Sequence, residues 1–151
     1  MAYSEEQMNK LAANVFYWDW AAEQYNNYIE GRDFYLLNPD PKNAALTARA
    51  NAMEKVAKLF PHERLKFAII TWATNKLHKT PSEIKDLDIL RKAAAEAFPD
   101  APLLIIKEAI TTAVQKEESL GILLDKLGER MQKRPKEKRI IELYLASMRQ
   151  K

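Results

Sequence analysis

Apolar residues return every three or four positions through most of this chain, and the rhythm breaks near proline or glycine. The longest run is Met8, Leu11, Val15, Trp18, Ala22, Tyr25 and Ile29. It alternates steps of three and four without a miss and marks one face of a long, coiled-coil-like helix. Ser4 is placed to cap that helix, Gln7 to close a capping box, and Tyr3 with Met8 to form a hydrophobic staple. Gly31 suits the position just past its end, so the pattern predicts a helix over 4–31. A connector at 32–40 follows, because Pro39 and Pro41 disfavour helix for the residue before each.

The same punctuation divides the rest. Asp40 caps a second helix with Pro41 at its first position, and Leu46, Ala50, Met53, Ala57 and Phe60 form its apolar stripe. Pro61 opens a third, in which Phe67 to Ala73 are apolar nearly all round, as in a central, buried helix. Those residues would also suit a strand, but Glu63 to Lys66 before them and Asn75 to Leu77 after them propagate helix. Thr80-Pro81-Ser82-Glu83 is a second capping box, and its helix reaches Phe98 with Ile84, Leu87, Ala94 and Phe98 inward. Asp100 caps a fifth helix carrying Leu103, Ile106, Ile110 and Ala113. A sixth starts near Ser119 with Leu120, Leu124, Leu127 and Met131, and Pro135 starts a seventh with Ile141, Tyr144, Leu145 and Met148. The expectation is an all-α protein, a single compact bundle of about seven helices forming one domain over 1–151, with 41–151 as the helical core.

Internal repetition is slight. Leu59-Phe60-Pro61-His62 resembles Ala97-Phe98-Pro99-Asp100, but Met53 would then map onto Arg91, so the stripes do not superimpose. A solenoid needs matching stripes over about three or more units. Ala94, Phe98 and Ala101 fit the second helix of a tetratricopeptide unit, yet its Trp-Leu-Gly half and its closing proline are missing.

Composition narrows the chemistry. The chain has 151 residues, of which 47% are hydrophobic and 30% charged, as in ordinary globular domains. It holds no cysteine, which excludes disulfides, thiolate metal sites and a cysteine nucleophile. No apolar run approaches the roughly 20 residues of a membrane span, and the first ten residues lack the pattern of a signal peptide. The expected setting is therefore cytoplasmic, with no membrane partner. Three scattered glycines cannot build a phosphate loop. His62 and His78 sit near helix ends without the ExxH or HExxH spacing of metal sites. Asp86 and Asp88 fall about 200° apart on a helix, so they do not converge. A helix-turn-helix across Thr80-Pro81 would present Glu83, Asp86 and Asp88 to phosphates, which repel them. No catalytic residue, metal or cofactor is expected, and the chain reads as a non-enzyme.

Two surfaces rise above this background. In Phe16-Tyr17-Trp18-Asp19-Trp20, Trp18 lies on the stripe, whereas Phe16 and Trp20 point to its back and Tyr17 and Tyr28 to a flank. Either that helix is covered from several sides, or it leaves an aromatic patch of the kind that marks interfaces. The second surface is basic. Residues 1–40 carry a net charge of −5, while 126–139 alone carry seven basic and two acidic residues. Lys126, Arg130, Lys133 and Arg134 form a stripe that Lys136, Lys138 and Arg139 continue, the footprint of phosphate-backbone binding. The acidic N-terminal helix could also meet the basic C-terminal region, within one chain or between two. The leading expectation is a protein–protein interaction or adaptor module, self-associating or docking a partner through Phe16, Tyr17, Trp20 and Tyr28. The alternative is a nucleic-acid-binding accessory protein that uses the basic stripe.

Overall fold

Ser4 starts the first helix as its side chain dictates. Its Oγ accepts from the Gln7 backbone N–H at 3.1 Å, while its own N–H donates to Gln7 Oε1 at 2.9 Å. This reciprocal box satisfies two of the donors that a helix start leaves without partners. In the computed structural model, which describes residues 3–30, 41–79 and 86–133, five α-helices follow one another. They are α1 (Glu5–Ile29), α2 (Pro41–Ala57), α3 (Pro61–Lys79), α4 (Leu87–Ala97) and α5 (Leu103–Lys133). Among the described residues every regular element is helical, and no helix is long and apolar enough to cross a membrane.

The buried residues form one cluster to which all five helices contribute. The segment Ala68 to Ala73 is buried on every side and helical, as its flanks predict. α1 packs against α2, α3 and α5, and α5 also packs against α3 and α4. The side-chain contacts across these seams report direction. Asp19 meets Lys116 at 2.9 Å, and further along Tyr28 lies under Arg130, so α1 and α5 run the same way. Lys66 meets Glu108 and His78 meets Glu117, so α3 runs with them. Pairs as exposed as these add at most about 1 kcal/mol each, and packing holds the bundle.

The helix count differs from the expected seven for a physical reason. The fifth and sixth expected helices are one, the 31-residue α5, which passes through Gly121 and Gly128. A glycine inside a helix costs about 1 kcal/mol relative to alanine, less than the burial of Ile106, Ile110, Leu123 and Leu127 returns. Asp100 does not cap it. The helix begins beyond Pro102, whose carbonyl accepts from the Ile106 N–H at 3.1 Å, and Leu103 is exposed rather than inward. α4 starts late, since extended Asp86 is its cap and its Oδ1 accepts from the Asp88 N–H at 2.9 Å, and Leu87 is exposed. Gly31, Asp40, the Thr80–Glu83 box with Ile84, and the helix expected after Pro135 lie outside the described residues.

Candidate interaction surface

The aromatic run on α1 is covered from several sides. Tyr17 and Tyr28 are 2% and 3% exposed and belong to the core. This corrects their expected place on an outer flank: α2, α3 and α5 enclose the helix, so a side chain off the main stripe still meets a neighbour. Phe16 packs edge-on against Phe67 of α3, with ring centroids 5.2 Å apart, and Lys55 of α2 reaches over its other side. Trp20 is half-buried 5.8 Å from the Tyr17 ring. Arg49 of α2 lies over Tyr17 with its guanidinium carbon 4.0 Å from the ring centre.

Burial raises the pKa of the Tyr17 hydroxyl above its ordinary value of 10.0, and the nearby Arg49 charge offsets part of that rise. The resulting stability is complete below pH 10.0 and is lost as pH climbs through the raised folded value.

The face of α2 that covers α1 is made of small side chains. Ala44, Ala45, Ala48, Ala52 and Val56 are buried. Alanine lets that helix lie close against bulky Phe16, Tyr17 and Trp20, large residues on one helix meeting small ones on the other. The cost of this fit is the expected stripe. Leu46 is 60% exposed, Met53 40% and Phe60 68%, and Ala50 and Ala57 between them are exposed as well. The expectation that this stripe faces inward is therefore wrong by about a third of a turn, because α2 carries two apolar stripes and packs with the smaller one. What remains outside on α2 is the apolar line Leu46, Ala50, Met53 and Ala57, with the 4-3-4 spacing that seams helices together, and exposed Phe60 lies past the end of the helix at the junction to α3.

No family model matches the chain, and neither a curated protein nor a solved structure matches it.

The basic stripe is described only in part. Lys126 and Lys133 are exposed on α5, whereas Arg130 is half-buried with its guanidinium carbon 5.9 Å from the Tyr28 ring centre. Arg134, Lys136, Lys138 and Arg139 lie outside the described residues. The acidic first helix does meet the C-terminal part of the chain, through Asp19 and Lys116, a lysine the charge pattern did not single out. Among the described residues no three His, Asp or Glu side chains are grouped to hold a metal ion.

The ridge was visible in the sequence as a stripe. What was missing was its direction, and the signal for that lay in the alanines at 44, 45, 48 and 52. They offer a second face that suits a neighbour crowded with aromatic rings.

Proposed function

We propose that this chain is a non-enzymatic protein–protein interaction module that engages its partner along the outer ridge of α2. The observation that supports this is that Leu46 and Met53 are exposed on one line along α2, with exposed Phe60 at the junction just past its end. Fully burying a side chain of this size returns about 1.5–3 kcal/mol relative to full exposure. Leaving two of them in one row on a helix, and a third beside its end, on a water-facing surface is the pattern of an interface. This reading keeps the interaction role expected from the sequence and moves it from the α1 aromatics, which the bundle itself occupies, to α2.

The test is a triple variant, Leu46→Gln with Met53→Gln and Phe60→Gln, compared with the wild-type chain. Because the ridge supports nothing in the fold, each change should alter stability by no more than about 0.5 kcal/mol. Tagged wild-type chain should then retain at least one protein from its native extract that the variant does not. Identical capture by both, or a variant that unfolds, overturns the reading.

A further inference from the structure

We draw no further inference here: the strongest candidate, the exposed apolar patch of Leu103 and Leu104 in the first turn of α5, carries none because nothing among the described residues shows what covers it.

Discussion

Two junctions in this molecule are nearly the same in sequence and opposite in structure. At Leu59-Phe60-Pro61 the phenylalanine is 68% exposed and, among the described residues, its ring stacks on His62 with centroids 6.1 Å apart. At Ala97-Phe98-Pro99 the ring is 4% exposed, stacked on Tyr3 at 5.0 Å and edge-on to Trp72 at 6.1 Å. The difference begins in the backbone. The Phe60 carbonyl accepts from the Glu63 and Arg64 N–H groups at 3.0 Å, so this residue starts α3, with Pro61 in the first helical position. The Phe98 N–H instead donates to the Ala94 carbonyl at 2.8 Å, so that residue ends α4, and four residues separate it from α5. One phenylalanine leads a helix and is carried outward with it. The other trails a helix and folds under the residue that precedes α1. A Phe-Pro pair marks a break, and what stands opposite decides whether its ring is core.

The largest expected effect follows from that contrast. Phe98→Ala should cost about 3–5 kcal/mol in chemical denaturation, and a loss below 1 kcal/mol would show that the Tyr3 and Trp72 contacts carry little. The second effect isolates one of those contacts. A double-mutant cycle on Tyr3 and Phe98, each changed to leucine, should give a coupling of about 0.5–1.5 kcal/mol. Zero coupling would mean that Phe98 is held by burial alone. A third change has the opposite sign and no ring. A methyl group added at Gly121 meets nothing within 4 Å, so Gly121→Ala should raise stability by about 0.8–1.0 kcal/mol, seen as a higher melting temperature. The smallest effect belongs to the other junction. Phe60→Ala should stay within about 0.5 kcal/mol of wild type, and a core-sized loss would put that ring under cover in solution.

These junctions also show how far the sequence could be read. The helices were legible because caps and spacing are local. Ser4 with Gln7, and Pro41 and Pro61 at first helical positions, needed nothing from the rest of the fold. The unity of α5 was legible too, though it read as two helices. Ile106, Ile110, Ala113, Leu120, Leu124, Leu127 and Met131 keep one register if position 117 is counted, and Glu117 interrupts the stripe only because it reaches His78. Direction was harder. Whether the α2 stripe faces in or out, and whether Tyr17 and Tyr28 lie on a surface, depends on how many helices surround α1. That is a property of assembly, which no single helix carries in its own spacing.

The alanine face that seats α2 on α1 has a consequence for motion. Ala44, Ala45, Ala48 and Ala52 bury few atoms each, and α2 packs chiefly on that one neighbour. Local opening is easiest where separation wets the least apolar surface. In amide hydrogen exchange, α2 should therefore open before α3, whose Ala68 to Ala73 are enclosed on all sides. A helix that detaches this readily uncovers Phe16 and Tyr17 each time it lifts, so the aromatic surface of α1 is visited briefly and repeatedly by a chain that otherwise keeps it closed.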